Sequence, residues 1–341
     1  MPKVNQVSKP AKLATETASP CKPMYLIGTD EAGYGPNLGP LVIAASVWSV
    51  ERSIAAEQLD ELVQSCIARE LLPAKQRDDR LVIADSKQLF NPARGIELLE
   101  RNVLRALELG GMSPRSWREL WQGFDREDAA TLDAAPWHDD YDEPLPTTSR
   151  QHEASSISLD KMLADCGVRL VHVQVRTVFP AEFNRLLDVT DNKSQVLSQL
   201  SLELLSRSLA SLPDGDVVAT CDKHGGRNRY GALLQPLVND WVEVVRESAE
   251  ESVYRWGGDP RRVELRLRPR CEAMLPTALA SMVAKYLREL AMRAFNHFWR
   301  QHLPELKPTA GYPIDAKRFK QEIDAIQRKL GIDDAILWRR K

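Results

Sequence analysis

The chain has 341 residues, of which 43% are hydrophobic and 28% are charged, enough for one large domain or two modest ones. Its formal net charge of −2 excludes a globally basic nucleic-acid binder, so a surface for nucleic acid has to be a local patch. Five dispersed cysteines without a CxxC pair argue against a zinc site or a disulfide framework and predict a reducing, cytoplasmic location, and no apolar run approaches the ~20 residues of a membrane span.

The first predicted elements are two short strands joined by a glycine-rich turn. Apolar residues 24–27 lead to two adjacent acids, Asp30 and Glu31, and a second apolar run follows at 41–47. Carboxylates at the end of a buried strand cost on the order of several kcal/mol unless a partner neutralises them. Because Mg²⁺ prefers carboxylate oxygens, we expect a metal site here. A turn capped by Asp30 beside a solvated Glu31 is the alternative.

The turn itself contains three glycines interrupted by two prolines, at 33–40. A dinucleotide-binding loop should open a helix, whereas the apolar, β-branched run after Pro40 predicts a strand. The loop also lacks the Gly-Lys-Ser/Thr ending of a P-loop. Both nucleotide-binding interpretations are therefore excluded.

Helices and strands alternate along the rest of the chain. Helical spacing is present at 51–72, 91–109, from Pro180, at 194–210 and at 316–330, and strands are predicted at 81–84, 170–178 and 216–221. Residues 240–270 are predicted to form an added set of strands. In that set, Arg266, Arg268 and Arg270 share one face of an extended segment, which could contact phosphates or could be a solvated sheet face.

A further acid, Asp222, follows the strand at 216–221 and so repeats the arrangement of Asp30. Parallel strands present their carboxyl ends at one edge of a sheet, where α/β sites assemble. The loop at 223–230 is basic and glycine-rich, includes Arg227, and suits a phosphate backbone. His224 in this loop could be a general acid, although a lone loop histidine is more often structural.

Two short segments complete the candidate site. Asp85 and Ser86 have the composition of a helix N-cap region, and Lys87 would then be a surface residue. In the helix predicted at 277–289, Ser281, Lys285 and Glu289 recur every four residues beside the buried stripe. Taken alone, Glu289 is an ordinary surface acid.

Four ordered motifs resemble those of the type 2 ribonucleases H, the family of ribonuclease HII and ribonuclease HIII. They are GTDEAGYGPNLGP at 28–40, DSKQL at 85–89, the strand-end acid Asp222 and TALASMVAKYLRE at 277–289. AGYPID at 310–315 resembles the C-terminal segment of the family, and the resemblance covers about 24–110 and 170–341. It implies an α/β fold, a ribonuclease H-like mixed β-sheet flanked by helices, with insertions and a C-terminal helical segment.

The resemblance also implies a domain organisation. A disordered tail at 1–22 would precede a catalytic domain at 23–300, which contains an insertion at 111–165, and a helical extension would occupy 301–341. Within the insertion, the run at 138–143 could bind metal, but such charged runs are more often solvated loops. We expect a monomer that does not contact membranes.

The implied activity is hydrolysis of the RNA strand of RNA/DNA hybrids, or of ribonucleotide-containing DNA, with two Mg²⁺ or Mn²⁺ ions. The products would carry 5′-phosphate and 3′-hydroxyl ends. The implied catalytic residues and metal ligands are Asp30, Glu31, Asp222 and Glu289. The implied substrate-binding residues are Gly33, Tyr34, Gly35, Ser86, Lys87, Arg227, Lys285 and Tyr312.

Two departures from the family pattern bear on these expectations. The family has Asp where this chain has Glu289, and it has Gly-Arg-Gly where this chain has Gly33, Tyr34 and Gly35. The resemblance therefore supports cleavage of RNA/DNA hybrids more strongly than incision of DNA at a single embedded ribonucleotide. Two alternatives stay open: a repurposed protein that binds structured nucleic acid without cleaving it, and a metal-dependent phosphohydrolase of small substrates, which would need no basic stripe.

Overall fold

The structure, a computed structural model, describes residues 22–51, 58–71, 80–90, 93, 95–124, 135–147 and 156–340. Apart from Lys22, the tail predicted at 1–22 lies outside the described residues. The strands are β1 Met24–Ala32, β2 Leu41–Val50, β3 Ile67–Ala68, β4 Leu81–Val82, β5 Val168–Val178, β6 Asp216–Asp222, β7 Glu243–Glu247, β8 Ser252–Gly258 and β9 Arg261–Arg268. The helices are α1 Leu59–Leu62, α2 Ser86–Leu89, α3 Glu97–Leu109, α4 Trp117–Phe124, α5 Ser156–Asp165, α6 Pro180–Thr190, α7 Lys193–Ala210, α8 Gly231–Leu234, α9 Leu275–His302, α10 Pro313–Leu330 and α11 Asp334–Leu337.

The central sheet has seven strands in the order β5-β2-β1-β6-β9-β8-β7. β1 is antiparallel to β2 and parallel to β6, and β6 is parallel to β9. The pairs β2–β5, β9–β8 and β8–β7 are antiparallel. The predicted mixed sheet flanked by helices is confirmed. None of the helices within the described ranges is long and apolar enough to cross a membrane.

The two faces of the sheet carry separate hydrophobic cores. Strand β1 is apolar on both faces, as expected of a strand covered on both sides. Leu26 packs on one face with α3 and α9, and Ile27 packs on the other face with α7. A third core lies beneath the C-terminal helix α10 and includes Trp299 and Phe319.

The structure differs from the predicted elements in two places. In the described part of 51–72, only the turn α1 is helical, because Ile67–Ala68 leaves the helical path and pairs with Leu81–Val82. The strands predicted at 240–270 are β7, β8 and β9, and β9 lies inside the sheet between β6 and β8. Arg270 lies beyond the end of β9 with a φ of 63°, so only Arg266 and Arg268 share a strand face.

The N-terminus of α9 packs directly on the central strands. A Cβ atom at Gly28 of β1 would lie 2.1 Å from the backbone nitrogen of Thr277. Nearby, the hydroxyl oxygens of Thr220 and Thr277 are 3.1 Å apart, and Ser46 donates a hydrogen bond of 2.7 Å to the carbonyl oxygen of Pro276. Strands β1, β2 and β6 therefore fix where the 28-residue helix α9 begins.

We expect the substitution Gly28→Ala to destabilise the protein by about 1–3 kcal/mol or more, because the new methyl group meets backbone atoms of α9 that cannot rotate away. The free energy of unfolding in urea measures this loss. Gly258→Ala is the matched control, since a Cβ atom at Gly258 has no heavy atom within 4 Å. Equal effects of the two substitutions would contradict the close approach at Gly28.

Candidate active site

Four acidic side chains gather at one edge of the central sheet. Thr29 of β1 pairs with Cys221 of β6 in parallel register, so the following residues, Asp30 and Asp222, are neighbours across the two strands. Glu31 comes next on β1. Glu272 lies in a 3₁₀ turn, Cys271–Ala273, immediately before α9. The backbone N–H of Cys271 donates to the Asp222 carboxylate at 3.5 Å, which joins this turn to the end of β6.

Burial and mutual repulsion raise the pKa values of these carboxyl groups. Burial, together with the charges of Asp222 and Glu272 and against a hydrogen bond from Ser281, raises the pKa of Asp30 to about 7. Burial, followed by the charges of Asp30 and Asp222, raises the pKa of Glu31 to about 8. The pKa of Asp222 is also raised, mainly by burial and then by Glu272. The four acids thus act on one another electrostatically.

The cluster lacks a positive partner in the part of the chain that the structure describes. Among the described residues, no Lys, Arg or His side chain forms an ion pair with Asp30, Glu31, Asp222 or Glu272. Nor are any three His, Cys, Asp or Glu side chains in the described ranges arranged as a formed metal-binding group. The donor set nevertheless fits a hard divalent cation, because carboxylate oxygens are its preferred ligands and its charge would offset their repulsion.

Glu289, which the sequence analysis assigned to this site, is paired with basic residues further along α9. It lies eight residues beyond Ser281, about 12 Å along the axis of α9 at 1.5 Å per residue. Its carboxylate is 2.6 Å from the Lys285 ammonium and 3.7 Å from the Arg288 guanidinium. Lys285 is used in this ion pair and also lies 4.7 Å above the ring of Phe90. Glu272 occupies the place that the sequence analysis gave to Glu289.

The segment at 85–89 supports the acidic cluster through serine hydroxyls. The Ser86 and Ser281 hydroxyl oxygens are 3.3 Å apart, and Ser281 in turn bonds the Asp30 carboxylate. Since the Ser281 proton is directed at Asp30, Ser86 is the donor to Ser281. Asp85 caps α2 by accepting the backbone N–H of Lys87 at 3.0 Å, and the Lys87 side chain is exposed.

The C-terminal residues Trp338 and Arg339 contact the glycine-rich turn at 33–40, called the glycine loop below. Leu38 forms an isolated antiparallel bridge with Trp338, and the N–H of Arg339 donates to the carbonyl oxygen of Asn37 at 2.8 Å. The fully buried guanidinium of Arg339 donates to the carbonyl oxygens of Gly33 and Pro36. A strand-like tail therefore fixes a loop about 300 residues earlier in the chain. The sequence offers no local signal for this contact.

The other predicted substrate-binding residues surround this loop. The Lys193 ammonium lies 4.8 Å from the centre of the Tyr34 ring, and burial together with the charge of Glu31 raises the pKa of Tyr34. A Cβ atom at Gly35 would lie 3.9 Å from the ring of Tyr312, which is 54% exposed. The predicted loop residues and Tyr312 are thus adjacent to Glu31.

The loop after Asp222 has a structural histidine. His224 is buried, and its Nδ1 is 3.2 Å from the Ser198 hydroxyl. Burial, followed by the charge of Arg227, lowers the pKa of His224 to about 4. Arg227 closes the turn by donating its backbone N–H to the carbonyl oxygen of His224 at 3.1 Å. A buried imidazole held in this way supports the loop and does not reach the acidic cluster as a proton donor.

These features define an α/β protein with a mixed sheet and an acidic cluster at the carboxyl ends of two parallel strands. No protein-family model matches the chain, and no curated protein matches it. The chain is similar in structure to the ribonuclease H2 from Pyrococcus horikoshii OT3, with a TM-score of 0.45, 16% identity and 92% of each chain covered. It is also similar to ribonuclease HII from Archaeoglobus fulgidus in its complex with PCNA (TM-score 0.42, 14% identity, 93% of this chain and 94% of that one). A third similar structure is Bst-RNase HIII in complex with Mn²⁺ (TM-score 0.39, 14% identity, 94% of this chain and 67% of that one).

The raised pKa of Asp30 predicts how stability depends on pH. Its pKa is 3.8 ordinarily and about 7 in the folded protein, so the native state keeps a proton that the unfolded chain has lost. Stability therefore falls as the pH rises from about 4 to about 7 and then levels off. We expect Asp30→Asn to raise the melting temperature by an amount that grows over this interval. The measurement is a thermal melt at each pH with EDTA present.

The matched control for this pH series is Asp214→Asn, which changes an exposed carboxylate in the turn before β6. Its effect on the melting temperature should not vary over the same interval. A pH-independent effect of Asp30→Asn would contradict the raised pKa of Asp30.

Removing the Arg339 guanidinium should loosen the glycine loop. We expect Arg339→Met to speed amide hydrogen exchange at residues 33–38 by about ten-fold, because each lost hydrogen bond is worth about 1 kcal/mol. The free energy of unfolding would not isolate this effect. Burying the Arg339 charge is unfavourable, as its pKa of about 9 indicates, and Met would remove that unfavourable contribution at the same time as the hydrogen bonds. Arg340→Met is the control, because the Arg340 side chain is 53% exposed and pairs with Asp188 and not with the loop. Equal exchange rates in both variants would contradict this role of Arg339.

Proposed function

We propose that the protein is an endonuclease that hydrolyses the RNA strand of RNA/DNA hybrids. The observation that carries this proposal is the cluster of four mutually repelling carboxylates at the sheet edge, which lacks an ion-pair partner among the described residues. The four motifs that resemble the type 2 ribonucleases H contribute three of these acids, Asp30, Glu31 and Asp222. The products would be a 5′-phosphate and a 3′-hydroxyl.

Asp30, Glu31, Asp222 and Glu272 would hold two Mg²⁺ or Mn²⁺ ions. Bound ions of this kind lower the pKa of water and offset charge on the leaving oxygen. The chain's own contribution is orientation. Ser281 donates to Asp30 and is itself held by Ser86, and the Cys271 N–H fixes Asp222. Supporting hydrogen bonds of this type set the direction of the lone pairs that ligands present.

The glycine loop would recognise the ribose. The carbonyl of Gly33 points inward to Arg339, and in a planar trans peptide the N–H lies opposite the carbonyl. The N–H of Tyr34 therefore faces away from the buried guanidinium, in the direction from which a substrate approaches. A 2′-hydroxyl, which distinguishes RNA from DNA, can accept this hydrogen bond. The exposed ring of Tyr312 beside Gly35 would pack against an adjacent sugar.

The choice between Glu272 and Glu289 gives the sharpest test. With a labelled RNA/DNA hybrid and Mg²⁺ or Mn²⁺, we expect Glu272→Gln to lower the cleavage rate by at least about 100-fold, or about 2.7 kcal/mol of transition-state stabilisation. Asp30→Asn should do the same. Glu289→Gln removes one carboxylate from the same region and should leave the rate within about three-fold, because Lys285 already neutralises Glu289.

The same assay separates the alternatives. A second duplex, DNA with a single ribonucleotide, tests whether incision at embedded ribonucleotides survives with Tyr34 in the loop. Tight binding of the hybrid without cleavage would replace the nuclease by a repurposed nucleic-acid binder. Hydrolysis of nucleotides but not of polymers would indicate a phosphohydrolase of small substrates. Loss of cleavage in Glu289→Gln with full activity in Glu272→Gln would restore the assignment of Glu289 made from the sequence.

A further inference from the structure

The face of the sheet that carries the acidic cluster continues into a row of arginines. Residues paired on neighbouring strands project from the same face of a sheet. Asp222 of β6 is paired with Arg268 of β9, and Thr220 is paired with Arg266. The Thr220 hydroxyl contacts Thr277 at the start of α9. The sheet face that carries Thr220 is therefore the face covered by α9, where Ser281 bonds Asp30. Arg268 and Arg266 therefore lie on the side of the sheet that holds the candidate active site.

The arginine row extends across the added hairpin. On this face of β9, Arg266 is followed by Glu264 and then by Arg262, which is exposed. Arg255 of β8 is paired with Glu264. Glu264 accepts hydrogen bonds from Arg255 at 2.7 Å and from Arg266 at 2.6 Å. This carboxylate therefore fixes the position of both guanidinium groups. We call residues Arg255, Arg262, Arg266 and Arg268 the arginine face.

The far end of the arginine face carries an exposed aromatic ring. Trp241, just before β7, is 83% exposed, which is unusual for so large an apolar side chain. A cavity of about 650 Å³ is lined by Trp241 together with Met24, Asp216, Arg255, Arg262 and Arg266. Three acids, Asp216, Glu243 and Glu264, also line this cavity. Glu264 is already paired with Arg255 and Arg266. An indole beside guanidinium groups is the combination that binds nucleic-acid strands, through base stacking and phosphate contacts.

We propose that the arginine face and Trp241 bind the part of the nucleic-acid substrate that extends away from the acidic cluster. The inference rests on the proposed function and adds the path of the substrate. From Asp222 to the level of Asp216, the six steps of β6 span about 20 Å at 3.3 Å per residue, which equals about six base pairs of duplex at 3.4 Å each. The guanidinium groups contact phosphates along this path, and Trp241 stacks at its end. A phosphodiester strand is the occupant favoured by this charge and by the continuity with the acidic cluster.

The test measures binding without cleavage. A fluorescent RNA/DNA hybrid of about 20 base pairs is titrated with protein in EDTA at several KCl concentrations, and fluorescence anisotropy gives Kd. The double variant Arg255→Ala/Arg262→Ala should weaken binding about ten-fold at low salt and reduce the slope of log Kd against log salt by about two, one for each lost phosphate contact. Trp241→Ala should weaken binding about five-fold with an unchanged slope, because stacking releases no counterions. Trp241→Phe should restore most of that loss.

The matched control is Arg185→Ala. Arg185 is 70% exposed and lies on α6, a helix of the layer that packs on the opposite face of the sheet, so Kd and the salt slope should stay at wild-type values. Wild-type affinity and slope in both the double variant and Trp241→Ala would overturn the inference while leaving the proposed function intact, provided that the wild type still cleaves hybrid with Mg²⁺. A wild-type protein that neither binds nor cleaves hybrid would overturn both.

Discussion

The close approach of helix α9 to strand β1 at Gly28 is the constraint on which the candidate site depends. No side chain fits between the strand and the backbone of Thr277, so the helix axis lies directly over β1. Residues further along α9 then meet successive parts of the first motif. Ser281 reaches Asp30, Arg288 lies against Gly33, and Met292 lies against Gly39. One helix therefore positions both the first acid and the loop that follows it, which a helix set further away by a side chain could not do.

The site also separates charge in a way that costs stability. Carboxylates are concentrated at the strand ends, and burial with mutual repulsion raises the pKa values of Asp30 and Glu31. Beside Tyr34, burial and then the charge of Arg339 lower the pKa of Lys193 to about 8. Like charges that are gathered together oppose folding. Such an arrangement is expected where function requires unfavourable electrostatics. A divalent cation would reduce the repulsion among the carboxylates, and a phosphate would reduce the repulsion between Lys193 and Arg339.

The parts of the site that could be predicted from the sequence are those set by local rules. Asp30 and Asp222 each end an apolar strand, and parallel strands bring such ends together. Helical periodicity gives the face on which Glu289 lies and not its distance along the axis, and Glu272 lies outside the helix and outside any periodic pattern. Arg339 could not have been found either, since its contact with the loop depends on how the C-terminal segment folds back across the protein.

Although the whole chain is nearly neutral, its acidic cluster and its arginine face are separate, neighbouring regions of opposite charge. Asp222 and Arg268 are paired residues on adjacent strands, so the acidic and basic regions meet within one strand spacing. A phosphodiester strand is attracted by the arginines but repelled by the bare carboxylates, and a divalent cation reverses that repulsion. By thermodynamic linkage, whatever free energy the cation adds to substrate binding, the substrate adds to cation binding. The boundary between the two regions would therefore couple the proposed metal site to the proposed substrate path.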